Sequence, residues 1–208
     1  MINVNKHIQG LKPSSTLEIN QKVRLIRKDG KIIHHFGFGQ SPFPIHDSIT
    51  SALKSHVKDN NYLPTNGLEV LRNEISNFLK EHQEIKFNSD NIFIGPGSKE
   101  LLYQSILLLE GVFLIPKGSW VSYLPQIKTK NGSYAILETY FSDNFKLRAK
   151  VLEKYCKQNY DIQKTLILNS PNNPTGAVYS DKELKTLAII CRKYNVIVLS
   201  DEIYSQIN

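Results

Sequence analysis

Between Leu166 and Tyr204 two short apolar runs flank a helical pattern, and each run ends in polar residues. The first, Leu166-Ile167-Leu168, opens into the turn-forming cluster Asn169-Ser170-Pro171-Asn172-Asn173-Pro174-Thr175-Gly176. The second, Val196 to Leu199, delivers Ser200-Asp201-Glu202. A strand-helix-strand unit with polar side chains at both strand ends is the arrangement in which open α/β sheets bind ligands.

The chain upstream repeats this pattern. Short apolar runs at Ile92-Phe93-Ile94, Val112 to Ile115 and Tyr134 to Leu137 alternate with helical spacing over Lys99–Leu109, Val121–Thr129 and Lys146–Lys157, and the helical pattern inside the strand-helix-strand unit spans Asp181–Tyr194. Such alternation predicts a mostly parallel sheet covered on both faces, a three-layer α/β/α sandwich. Earlier still, a helix is expected from about His46 to Lys58, and another follows Gly67 on the spacing Leu68, Leu71, Ile75, Phe78, Leu79. Residues Met1 to Phe36 read as an extended arm with a short strand around Lys31-Ile32-Ile33. Phe36 to Pro44 and Asn60 to Asn66 read as loops.

Composition narrows the class. The 208 residues are 40% hydrophobic and 22% charged, enough to bury one core. No early apolar stretch resembles a signal peptide and no window approaches a membrane span, so cytoplasm is the expected compartment. Cys156 and Cys191 lie in helical patterns without metal-ligand spacing and read as reduced thiols, with no metal site. The net charge of +7 comes from dispersed lysines. Its one dense run, Lys22 to Lys31, has no stacking aromatics and reads as a solvated arm, not a nucleic-acid surface.

Several residues carry chemistry at strand ends. Gly95-Pro96-Gly97-Ser98-Lys99 follows a strand and opens a helix, where free amides and the helix dipole favour a phosphate. By itself such a turn is as compatible with a structural role. Trp120, in Lys117-Gly118-Ser119-Trp120-Val121-Ser122-Tyr123, is either core or a flat platform for a ring. Asn173 sits in an Asn-Pro turn that could be no more than a turn. Asp201, at the end of an apolar strand, needs a cationic partner to stay ionised, or serves as a helix N-cap.

Together these motifs resemble the class I/II aminotransferases, the fold-type-I enzymes dependent on pyridoxal 5'-phosphate (PLP). The resemblance rests on the Gly97 turn, the W-x-x-Y segment from Trp120, the N-P-T-G core from Asn173 and Asp201 with Tyr204. It implies transfer of an amino group between an amino acid and a 2-oxo acid. Gly97, Ser98 and Lys99 would hold the cofactor phosphate, with the Lys99 side chain facing solvent. The Trp120 ring would stack on the pyridine, Asp201 would pair with the pyridinium, and Asn173 with Tyr204 would hold the phenolic oxygen. Tyr62, followed by Gly67 and Leu71-Arg72, resembles the tyrosine that reaches the phosphate of a partner subunit's cofactor, which implies a homodimer. Gly39 resembles the glycine against the substrate carboxylate, although Gly39-Gln40-Ser41-Pro42-Phe43-Pro44 is shorter than the family's segment.

The resemblance further implies an N-terminal arm and part of a small domain over residues 1–44, then an incomplete PLP-binding large domain over 45–208. It places the Schiff-base lysine beyond Asn208, so no catalytic residue is assigned and the 208-residue chain alone is expected to be inactive. The implied sheet has order 3-2-4-5-6-7-1. This chain would supply the first five strands, leaving Ile92-Phe93-Ile94 without a ladder partner. The Asn173-Pro174 bond is expected to be cis. A PLP-dependent lyase or decarboxylase of the same fold, or a non-catalytic aminotransferase-like ligand-binding domain, are the alternative functions.

Overall fold

The computed structural model describes residues 6, 8, 9, 15–37, 39 and 43–207. The expected loop through Phe38 and Gln40-Ser41-Pro42, and most of the arm before Ser15, lie outside the described residues. The chain forms two units, residues 10–94 and residues 1–9 with 95–208.

In the first unit the expected extended arm is instead helix α1, Ser15–Lys28. No glycine or proline interrupts this stretch, Glu18 lies in its first turn, and Arg27 and Lys28 lie in its last, as the helix dipole favours. The basic run therefore begins on a helix. Lys31-Ile32-Ile33 forms no strand; the Ile33 carbonyl accepts from Arg27 Nη2 at 3.4 Å. Helix α2, Asp47–His56, is capped by His46, whose Nδ1 accepts from the Ser48 amide, and it contains no buried residue. Helix α3, Glu69–Gln83, ends where Glu84 turns left-handed. Its buried Arg72 donates to the Ser89 carbonyl at 2.7 Å and the Gly67 carbonyl at 3.4 Å.

Ile92-Phe93-Ile94 does not form the expected strand. With no ladder to join, the Ile94 amide donates to the Asn66 carbonyl at 3.0 Å. Its side chain lies where a Cβ on Gly67 would fall, 2.5 Å away. The apolar run is used for local packing.

The second unit holds a parallel sheet. Strands β1 (Val112–Pro116), β2 (Ser133–Leu137), β3 (Lys164–Asn169) and β4 (Val196–Asp201) take the order β2-β1-β3-β4. This is the 3-2-4-5 portion of the expected order. Gly111 opens β1 at φ +87°, so close to the chain before β3 that a Cβ would meet the Gln163 carbonyl at 2.2 Å.

Helices α4 (Ser98–Leu108), α5 (Tyr123–Thr129), α6 (Ala149–Gln158) and α7 (Asp181–Lys193) follow the predicted alternation within a few residues. Period-two alternation divides the sheet's side chains between two faces. Leu114, Leu166 and Leu168 pack with Leu152 and Cys156 of α6 and Leu187 and Cys191 of α7. Phe113, Ile115 and Ile167 pack with Ile106 of α4 and Tyr123 and Ile127 of α5. The three-layer α/β/α sandwich is formed. Every residue of β3 is buried, as expected of a central parallel strand. Even Lys164 is enclosed, its ammonium donating to the carbonyls of Asn159 and Tyr160.

Candidate functional site

Register builds the site. β3 and β4 pair so that Asn169 lies opposite Asp201, at the carboxyl end of both strands. The chain leaves β3 through two cis bonds, the expected Asn173-Pro174 and also Ser170-Pro171. The turn is held by its own hydrogen bonds: the Asn172 amide donates to the Ala177 carbonyl at 2.9 Å, and the Gly176 amide to the Asn172 carbonyl at 2.7 Å. Asn172 Nδ2 donates to Thr175 Oγ1 at 2.7 Å. From this turn Asn173 Nδ2 reaches the Tyr204 hydroxyl at 3.3 Å.

Asp201 is half-buried and its carboxylate accepts from two protein donors. Tyr123 O–H donates to Oδ2 at 2.7 Å, and the Ile203 amide to Oδ1 at 3.3 Å. The second contact closes a local turn; no helix follows β4 among the described residues, so Asp201 is not the helix N-cap considered for it. That contact engages one oxygen, and a carboxylate offers about four acceptor sites, so capacity remains for a further donor. Tyr123 is fully buried. Burial first, then its hydrogen bond to Asp201 and that carboxylate's charge, push its hydroxyl far above the ordinary phenol range, so it stays a proton donor.

The half-buried Trp120 ring meets Tyr123 edge-on, centroids 5.5 Å apart at 81°. Lys99 is solvent-facing, with Nζ 5.5 Å from the Trp120 centroid. Its carbonyl accepts from Gln126 Nε2 at 2.9 Å, tying the first turn of α4 to α5. Gly97 caps α4 at φ +120° with no side-chain cap, so the first-turn amides are open to an anion. A cleft of about 400 Å³ has Ser98 and Leu101 on one side and Val198, Asp201 and Ile203 on the other.

The structure thus gathers Gly97, Ser98, Lys99, Trp120, Asn173, Asp201 and Tyr204 within one unit. It joins Ser98 to Asp201 across a cleft, Asn173 to Tyr204 directly, and Trp120 to Asp201 through Tyr123. Tyr62 and Gly39 belong to the other unit, where Tyr62 is fully exposed and Gly39 has open space about its Cα. Sequence reasoning quoted Tyr123 in the W-x-x-Y segment and Asn169 in the turn cluster but gave neither a role. The signal for Tyr123 was its place three residues after Trp120, in the first turn of a helix. For Asn169 it was an amide side chain ending a wholly apolar run. Among the described residues no group of three or more His, Cys, Asp or Glu could hold a metal, and no helix is long and apolar enough to cross a membrane.

A parallel sheet with helices on both faces and polar groups converging at its carboxyl edge defines an α/β ligand-binding unit. The family model for aminotransferase class I and II matches residues 32–207, and the chain belongs to that family. It is 32% identical over 210 residues to the aspartate aminotransferase of Bacillus subtilis (strain 168), covering 97% of this chain and 52% of the relative. It is 33% identical to a probable aspartate/prephenate aminotransferase of Rickettsia typhi, covering 98% and 52%. Among solved structures, aspartate aminotransferase from Thermus thermophilus with maleate superposes with a TM-score of 0.89 at 24% identity, covering 98% of this chain and 54% of that one. The Thermotoga maritima aspartate aminotransferase matches with a TM-score of 0.85 at 27% identity, covering 96% and 54%. The chain spans about half the length of the relatives it matches. PLP is the cofactor of this family.

Proposed function

We propose that this chain holds the cofactor of a PLP-dependent aminotransferase, which moves an amino group between an amino acid and a 2-oxo acid. The observation that carries this reading is the Asp201 carboxylate, fixed by Tyr123, facing the uncapped first turn of α4 across an open cleft. The residues fit the group. An anion suits the amides of Ser98 and Lys99 beyond Gly97. A pyridinium N–H suits the remaining acceptor capacity of Asp201, and a phenolic oxygen suits Asn173 and Tyr204. The Trp120 ring would cover one face of the pyridine and exclude water.

When bound, the cofactor supplies an electron sink for the pair released at the substrate's α-carbon. Asp201 would keep the ring nitrogen protonated and so maintain that sink. Asn173 and Tyr204 would stabilise negative charge on the ring oxygen. Tyr62, from a second copy in a homodimer, would reach the phosphate, and Gly39 would lie against the substrate carboxylate. The exposed apolar stripe Ile49, Leu53 and Val57 supports a homodimer. This reading keeps residues 1–44 as arm and part of a small domain, 45–208 as cofactor-binding domain, and the cytoplasm as compartment.

Trp120 is the sole tryptophan of the sequence, so its fluorescence reports on the site alone. Titration of the chain with PLP should quench it saturably, inorganic phosphate should compete, and Asp201→Ala should weaken binding about tenfold or more. Quenching that is linear in PLP, or unchanged by Asp201→Ala, would remove the site. Amino-group transfer from an amino acid to a 2-oxo acid by the protein carrying this chain, nearly abolished by Asp201→Ala, tests the reaction itself.

A further inference from the structure

Asn169 is 5% exposed, and its side-chain amide is engaged at both ends. Nδ2 donates to the Asp201 carbonyl at 2.8 Å, and Oδ1 accepts from the Asn173 amide at 2.7 Å. β3 ends at Asn169, where the chain leaves the ladder. There the Asn169 side-chain amide holds the Asp201 carbonyl. Its other end fixes the backbone from which the Asn173 side chain projects.

The turn does not need Asn169 to fold, because the hydrogen bonds from the Asn172 and Gly176 amides close it internally. β4 does not need it either, because its ladder with β3 runs from Lys164–Val196 to Asn169–Asp201. What Asn169 adds is a rigid, planar link of one amide's length between two segments. One carries the group for the ring nitrogen, and the other carries a group for the ring oxygen.

We propose that Asn169 is a positioning residue that sets the spacing between Asn173 and Asp201, and so aims both at opposite edges of the bound pyridine ring without touching it. This rests on the reading of the site as a PLP site. Asparagine suits the task because it presents one donor and one acceptor in a plane. Aspartate would keep the acceptor for the Asn173 amide and set a carboxylate oxygen against the Asp201 carbonyl. Alanine would release both.

The test uses the chain with PLP as the probe, in wild type, Asn169→Asp, Asn169→Ala, Asn173→Ala, Asp201→Ala and the double variant Asn169→Ala/Asn173→Ala. Affinity is read from Trp120 fluorescence. Ionisation of the bound phenolic oxygen is read from the absorption of PLP against pH. Asn169→Ala should bind about tenfold more weakly, one well-placed hydrogen bond's worth, and raise the pH at which the phenolic oxygen ionises. That rise should vanish when Asn173 is already alanine, because the effect passes through Asn173. Asn169→Asp should retain the ionisation behaviour better than Asn169→Ala while still binding weakly.

Unchanged ionisation in Asn169→Ala, with lowered urea stability alone, would reduce Asn169 to a structural residue and overturn the proposal. Failure of both Asn169 variants to fold would do the same, since the turn and β4 carry their own hydrogen bonds. If wild type and Asp201→Ala bind PLP indistinguishably, it is the cofactor reading that has failed. If Asp201→Ala weakens binding and the Asn169 variants match wild type, the spacing role has failed by itself.

Discussion

The two units of this chain use apolar residues in opposite ways. In the sheet unit β3 is buried along its whole length and its side chains are divided between two helical layers. In the N-terminal unit α2 has no buried residue, α3 buries only Arg72, and Ile49, Leu53, Val57 and Val70 are exposed. Helices α2 and α3 of the one and α6 and α7 of the other are all amphipathic in sequence. Periodicity therefore reports that a face is to be covered, and it is silent on whether the cover lies within the same unit. The sheet unit covers its central strands from its own residues but leaves Ile197 and Val198 of the edge strand β4 exposed, while the first unit leaves whole helix faces exposed.

The largest expected effect follows directly. Leu166→Ala removes a fully buried side chain from the middle of β3, and should cost about 2–5 kcal/mol by urea denaturation. Ile49→Ala, on the exposed face of α2, should change the stability by no more than about 0.5 kcal/mol at concentrations dilute enough to keep the chain monomeric. A cost for Ile49→Ala approaching that of Leu166→Ala, growing with protein concentration, would show that the stripe is covered by another copy. The same cost without concentration dependence would break the contrast between the units.

Legibility in the sequence followed the same division. The four strands and four helices of the sheet unit could be read from periodicity, because each strand has a ladder partner inside the unit, and the order of the strands followed from the family resemblance. Ile92-Phe93-Ile94 has the composition of a strand but no ladder, and it took a packing role over Gly67 instead. Helix α1 was missed although Ile19, Val23 and Ile26 keep helical spacing; among its described side chains only Val23 is buried. In the proposed site, the residues read as ligand-facing stood out by type and by their place at strand ends and helix starts. Tyr123 and Asn169 did not, because each acts through another residue, and the register that pairs Asn169 with Asp201 belongs to the folded sheet.

A smaller effect separates the sheet unit's polar interior from its apolar one. Tyr123→Phe keeps the ring packed between Ile127 and Trp120 and deletes only the donor to Asp201. Because Asp201 is half-buried and water can partly replace the hydroxyl, the cost should be about 1–2 kcal/mol, below that of Leu166→Ala. The variant should also alter the alkaline limb. The Tyr123 pKa is raised on folding, chiefly by burial, above its unfolded value near 10. The folded chain therefore keeps a proton that the unfolded chain releases. The associated stability is full below pH 10 and is lost as pH rises beyond it. Tyr123→Phe should flatten that loss in urea midpoints taken across the alkaline range. An equal slope in both proteins would show that Tyr123 is not the group responsible.

The smallest effect compares the helix caps of the two units. α7 begins with a capping box in which Glu183 accepts from the Ser180 amide at 2.7 Å and the Glu183 amide donates to Ser180 Oγ at 3.4 Å. Lys146 lies 2.7 Å from the same carboxylate. The Lys146 hydrogen bond first, then the Ser180 amide, lower the Glu183 pKa from 4.5 to about 2. A depressed carboxylate pKa contributes stability that is complete above the unfolded value of 4.5 and is lost as pH falls towards about 2. Glu183 remains 40% exposed, so solvent screens the pair. Glu183→Gln should then cost no more than about 0.5–1 kcal/mol at neutral pH. The gap between variant and wild type should close as the pH approaches 2. His46→Ala at the start of α2 deletes a single side-chain cap, without a reciprocal bond, from a helix with no buried residue, and should leave the stability within about 0.5 kcal/mol. A capping residue stabilises the whole unit only when its helix is packed into the core. If His46→Ala lowers the urea midpoint as much as Glu183→Gln does, α2 melts with the rest of the protein and the two units are energetically one.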